Sequence, residues 1–108
     1  MQISYDTADL KRCCQKREVA EERFGRTYAD RLVSEIADAE AFDYVDEWHQ
    51  ILGGNVTTFA DNSFQVVIGS SYMATFVSVD ENAAFDVNGR IVWASVEYIK
   101  LMSISEVQ

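Results

Sequence analysis

The chain has 108 residues, 48% of them hydrophobic, and a formal charge of −9. That length suits one domain, 1–108, with a core of useful size, and the apolar share excludes a disordered polymer. No apolar run approaches the roughly 20 residues that cross a bilayer, and so negative a balance excludes nucleic-acid binding through a broad basic surface.

Taken in order, residues 2–5 (Gln-Ile-Ser-Tyr) suit a short first strand. Asp6 or Thr7 can cap a helix, with Asp9 placed to complete a capping box. Leu10, Cys13, Ala20 and Phe24 then recur near helical spacing, with Arg17 bridging the gap on that face, so one helix is expected over 7–24. Gly25 is a good residue for the left-handed position that ends it. Thr27-x-x-Asp30 is a second capping-box pattern. It opens a helix over 27–41 whose inward face is Tyr28, Leu32, Ile36 and Ala39, with Ala29 and Val33 beside it. So short a connection through glycine implies an antiparallel helical hairpin.

The segment 42–48 is less regular and predicts a short helical turn that lays Phe42, Val45 and Trp48 over the sheet. Gly53 and Gly54 break it, and residues 55–59 read as a strand. The clearest alternation follows, at Phe64, Val66 and Ile68 and again at Tyr72, Ala74 and Phe76. A period of two marks strands with one buried face, and Gly69-Ser70-Ser71 between them suits a hairpin turn. Residues 80–89 are polar and hold a tight turn at Asp86-Val87-Asn88-Gly89. Residues 91–93 lead into 96–104, a stretch of strand formers that closes the domain. Helices first and strands after them indicate the α+β class: an N-terminal helical hairpin packed on an antiparallel sheet of three to five strands.

Charge is unevenly placed. Seven of the nine cations (Lys11, Arg12, Lys16, Arg17, Arg23, Arg26 and Arg31) fall within residues 11–31. No lysine or arginine occurs from Leu32 to Gly89, where ten acids do, so one end of the molecule is expected to be strongly negative. Cys13 and Cys14 are adjacent, which suits buried reduced thiols on a helix and not a disulfide framework. Asp80, Glu81 and Asp86 supply carboxylates without the spacing of a calcium loop, so no metal site is expected, nor any cofactor. Met1 to Asp6 lack the basic and apolar regions of a secretion signal. With the reduced thiols, this sets a cytoplasmic expectation.

Several stretches together carry a resemblance: Asp9-Leu10-Lys11-Arg12-Cys13-Cys14, Arg23-Phe24-Gly25, Ala29-Asp30-Arg31-Leu32 and Trp48-His49-Gln50-Ile51-Leu52-Gly53. The Phe64 and Tyr72 strands, Asn88-Gly89-Arg90-Ile91-Val92-Trp93 and the last strand to Glu106 continue it. In order and spacing the chain resembles the RelE/ParE toxin superfamily of type II toxin–antitoxin systems, closest to the HigB-like killer branch, with an extra segment between Gly53 and Phe64. The resemblance implies a cognate antitoxin as partner. It also implies the ribosome and mRNA as targets of a metal-independent endoribonuclease, since many members cut mRNA in the ribosomal A site and ParE-type members target gyrase.

Such cleavage needs a base for the ribose hydroxyl, an acid for the leaving oxygen and cations for the phosphorane. On the family pattern His49, Tyr72 and Lys100 are the candidate catalytic residues: His49 for proton transfer, Tyr72 as phosphate orienter or proton relay, Lys100 as phosphate contact. The ordinary alternatives are a histidine satisfied beside Trp48, a core tyrosine with its hydroxyl at the edge, and a strand charge that discourages aggregation. Elsewhere the pattern is replaced. Leu52 stands where HigB-like chains tend to carry lysine, Met73 where they carry arginine, and Val107 and Gln108 where they carry tyrosine and histidine. Two functions therefore remain expected: a toxin-superfamily protein derived from an mRNA endoribonuclease, or a non-catalytic acidic binding protein on the same scaffold, either an inactive toxin relative or a nucleic-acid mimic.

Overall fold

A computed structural model of the chain describes residues 1–107. Gln108, one of the replaced family positions, lies outside the described residues. The described residues form an α+β fold, with four α-helices and a five-stranded sheet in the order β1-β5-β4-β3-β2. The strands are β1 (Gln2–Tyr5), β2 (Val56–Thr58), β3 (Ser63–Ile68), β4 (Tyr72–Ser78) and β5 (Tyr98–Glu106). The sheet is mixed and not wholly antiparallel as expected: β1 runs parallel to β5, pairing Ile3 with Ile99 and Tyr5 with Leu101. β1 and β5 are joined by the whole helical and hairpin region, long enough for the crossover that a parallel pair requires.

The expected helix over 7–24 is two helices, α1 (Ala8–Gln15) and α2 (Arg17–Phe24), broken at Lys16, whose backbone is extended (φ −122°, ψ 110°). A straight helix would turn Arg17 into the core with Leu10, Cys13 and Ala20. The break lets Arg17 stay exposed, its Nε 3.2 Å from the Asp30 carboxylate on the next helix. Thr7 is the cap of α1, its hydroxyl accepting from the Leu10 amide at 3.1 Å, while Asp9 pairs with Arg12. The hairpin is therefore α2 with α3 (Arg26–Ala41), joined through Gly25 at φ 84°. The capping box expected at Thr27 does not form: α3 already begins at Arg26, and Asp30 is engaged by Arg17.

Ala29, Leu32, Ile36 and Ala39 of α3 are buried, and Tyr28 is half-buried at the edge. The turn expected at 42–48 is a full helix, α4 (Val45–Leu52), burying Val45, Trp48 and Leu52. It starts where Glu47 reaches back to accept from the Tyr44 amide at 2.9 Å. All four helices lie on one face of the sheet. Phe64, Val66, Ile68, Ala74, Phe76, Ile99 and Leu101 form the sheet's share of the core. Phe64 and Phe76 are directly opposed across β3 and β4 and stack at 5.1 Å, with Trp48 edge-on to both. Residues beyond β4 form a loop whose Phe85 bridges Ile91, followed by a 3-10 turn at Trp93–Ser95 that packs against α4.

Candidate functional site

His49 sits in the middle of α4, on the turn that brings Trp48 down onto the sheet. Its ring meets Phe64 edge-on at 4.5 Å and Trp93 at 5.5 Å. Nε2 is buried and has no hydrogen-bond partner among the described residues. Burial in this aromatic setting pushes the imidazole pKa down to about 4, against the opposing pull of Asp46 one turn earlier. A base of that strength is unprotonated at neutral pH and a weak proton acceptor there. It brings no positive charge to the site.

Tyr72 opens β4 beside the hairpin turn, at the other end of the strand pair. It packs edge-on against Phe24 at 5.0 Å and Tyr28 at 4.9 Å. Four residues separate it from Phe76, roughly 13 Å along an extended chain, and it is Phe76 and Phe64 that mark the position of α4. Lys100 is paired across the sheet with Val77 and Ser4, between the buried Ile99 and Leu101, so its side chain leaves on the face away from the helices. Its ammonium is 3.5 Å from the Asp6 carboxylate. His49 and Tyr72 thus lie at opposite ends of the core face, and Lys100 is on the reverse face.

The replaced family positions are similarly dispersed. Leu52 is a core residue at the end of α4, Met73 faces out of the sheet opposite Ser105, and Val107 is exposed after β5. Compared with family models, curated proteins and solved structures, the chain matches none.

From the end of α3 into α4 the side-chain charge is carboxylate: Asp38, Glu40, Asp43, Asp46 and Glu47 follow one another with no lysine or arginine between them, and the Met1 ammonium donates to the Phe42 carbonyl beside them. Glu35 just before them is held by Arg31 at 3.7 Å. Two acids of the 80–97 loop, Asp80 and Asp86, have structural work. Asp80 accepts from the amides of Asn82 at 2.9 Å and Glu97 at 2.8 Å. Asp86 accepts from Asn88 at 2.8 Å and Arg90 at 3.0 Å. The repeated Asp-x-Asn spacing is the sequence signal for these two turns. Among the described residues no group of three His, Cys, Asp or Glu side chains could hold a metal ion.

Sequence reasoning missed two features of this region. One is Trp93, which closes the aromatic wall over His49; its place after a glycine turn gave no periodicity to reveal it. The other is Arg23, which makes no ion pair among the described residues and lies 3.8 Å from the Cys13 thiol. The thiols themselves are buried, and burial pushes Cys14 up to about 12, with Cys13 and Glu40 adding to the shift. Both pack in the core, and Cys14 stays a thiol at neutral pH.

Proposed function

We propose that the chain is a HigB-like relative of the RelE/ParE superfamily that has kept the scaffold of a type II toxin but acts by binding, with an antitoxin-type protein as its partner in the cytoplasm. The motif order described above supports the family. The α+β layering, with α2 and α3 against a sheet whose central strand is β4, is compatible with it.

One observation carries the absence of RNA cleavage. His49 is enclosed by the rings of Phe64 and Trp93 with Asp46 as its charged neighbour, and Lys100 lies on the opposite face of the sheet, held by Asp6. A phosphorane formed near His49 would meet the carboxylates of α3 and α4, which raise its energy. Loss of a single preorganised donor costs roughly 10²–10³ in rate, and here several are missing together. Among the described residues no helix is long and apolar enough to cross a membrane.

The test is expression in a bacterial host without neighbouring genes, with growth followed and mRNA 5′ ends mapped. Unchanged growth and intact messages are expected. Growth arrest with new cuts in translated messages, abolished by His49→Ala, would overturn the binding reading and restore the endoribonuclease.

A further inference from the structure

β5 is nine residues long, and β1 covers only its first part, pairing 98–101. Where β1 stops, β5 is bulged: Phe76 pairs with Leu101 but Thr75 with Ser103, leaving Met102 unpaired. The bulge resets which backbone groups point to which side. Before it, the Leu101 carbonyl accepts from the Asp6 amide on the β1 side. After it, the Val107 amide donates to the Ser71 carbonyl on the β4 side. Strand alternation then turns the N–H and C=O of Ile104 and Glu106 to the open edge, where no backbone partner meets them among the described residues.

That edge is not bare surface. Beyond the end of β1 it borders a groove lined by Thr7, Leu10, Arg23, Met102, Ser103 and Ile104, with Asp9 also on its wall. Asp9 is neutralised by Arg12, whereas Arg23 has no carboxylate partner. The other open edge, on β2, is only three residues long.

We propose that the edge of β5 over residues 102–106 is a strand-docking site for an extended peptide of a partner protein. The peptide adds to the sheet in line with β1 and places a carboxylate side chain against Arg23. Only an extended chain satisfies the row of main-chain donors and acceptors, and the groove beside it gives alternate side chains a pocket on the helix face. Charge selects the sequence. The unpaired guanidinium favours an acid at the position beside Leu10 and Arg23, while Glu106 at the far end disfavours a second one there. A second copy of this chain is a poor occupant, because its total charge of −9 opposes approach and antiparallel pairing of two β5 edges would bring Glu106 residues of both copies into the interface. The site does not rest on the toxin reading, and its test reads backbone amides instead of growth or RNA.

Three acetylated, amidated heptapeptides of alternating Val and Thr, with Asp, Asn or Lys at the same central position, are titrated into isotope-labelled protein. Amide exchange and chemical shifts are read by NMR. In the free protein the Ile104 and Glu106 amides should exchange quickly and those of Ser103 and Ser105 slowly. The Asp peptide should protect Ile104 and Glu106 and should bind about tenfold more tightly than the Asn peptide, the scale of one charge-assisted contact. Arg23→Gln, an exposed change, should abolish that difference, and Arg26→Gln should leave it. Protected Ile104 and Glu106 amides in the free protein, no protection at millimolar peptide, or equal affinity for the Asp and Lys peptides would overturn the proposal. So would concentration-dependent dimerisation that protects the same amides without peptide.

Discussion

His49 is the residue on which the proposed loss of RNA cleavage turns. The sequence places it beside Trp48 at the family spacing; only the fold reveals that Phe64 and Trp93 enclose it. That enclosure depends on two residues distant in the chain, which no local pattern could bring together. Its folded pKa of about 4 lies below its ordinary 6.5. With no proton bound in either state above pH 6.5, the group is neutral to stability there. Between pH 6.5 and 4 the unfolded chain binds a proton that the folded chain refuses, so stability falls as pH falls through that window and levels off below it. Urea midpoints for the wild type and His49→Leu at pH 7 and pH 4.5 measure this: the wild type should lose more on acidification than the variant. A parallel decline in both would show that the imidazole is not buried.

Among the elements, those with strong periodicity were legible and those set by a conflict were not. β3 and β4 alternate so strictly that their bounds fall within a residue of expectation, because a shift of one would expose Phe64 and Phe76. The α1–α2 break was hidden, since Leu10, Cys13, Arg17 and Ala20 satisfy helical spacing and only the cost of burying Arg17 argues against continuity. The parallel pairing of β1 was hidden too, as residues 2–5 carry no signal for their neighbour. At the β3–β4 turn, Gly69 has φ +64° and a Cβ there would lie 2.5 Å from the Tyr28 ring. That ring is fixed by the Ser71 hydroxyl at 2.6 Å and by its contact with Tyr72. Gly69→Ala should therefore cost about 2–3 kcal/mol, combining left-handed strain with overpacking. Gly54→Ala, with nothing within 4 Å of its Cβ, should be near neutral. Equal denaturant midpoints for the two variants would place Tyr28 away from the turn.

The whole molecule is electrostatically divided. Residues 1–31 hold seven cations and six acids, a sum of +1; residues 32–108 hold two cations and twelve acids, a sum of −10. The ion pairs that could offset this are few and mostly exposed: Arg12 with Asp9, Arg17 with Asp30, Arg31 with Glu35 and Lys100 with Asp6. Such pairs contribute roughly 0–1 kcal/mol each and lose part of that in salt. Repulsion among the acids of α3, α4 and the 80–97 loop is screened by the same salt, and there ten acids face three cations, Arg26, Arg31 and Arg90. Screening lengths fall from about 30 Å at 0.01 M to about 3 Å at 1 M, spanning the separations between these elements in a molecule 44 by 25 by 21 Å. Added salt should therefore stabilise the fold on balance. The urea midpoint should rise between 10 mM and 500 mM sodium chloride, and the rise should be smaller in a variant carrying Asp38→Asn, Asp43→Asn and Asp46→Asn. A midpoint that falls with salt would mean that the exposed ion pairs outweigh the repulsion. The acidic half would then be better balanced in solution than its sequence implies, and the argument that the carboxylates of α3 and α4 oppose a phosphorane near His49 would weaken with it.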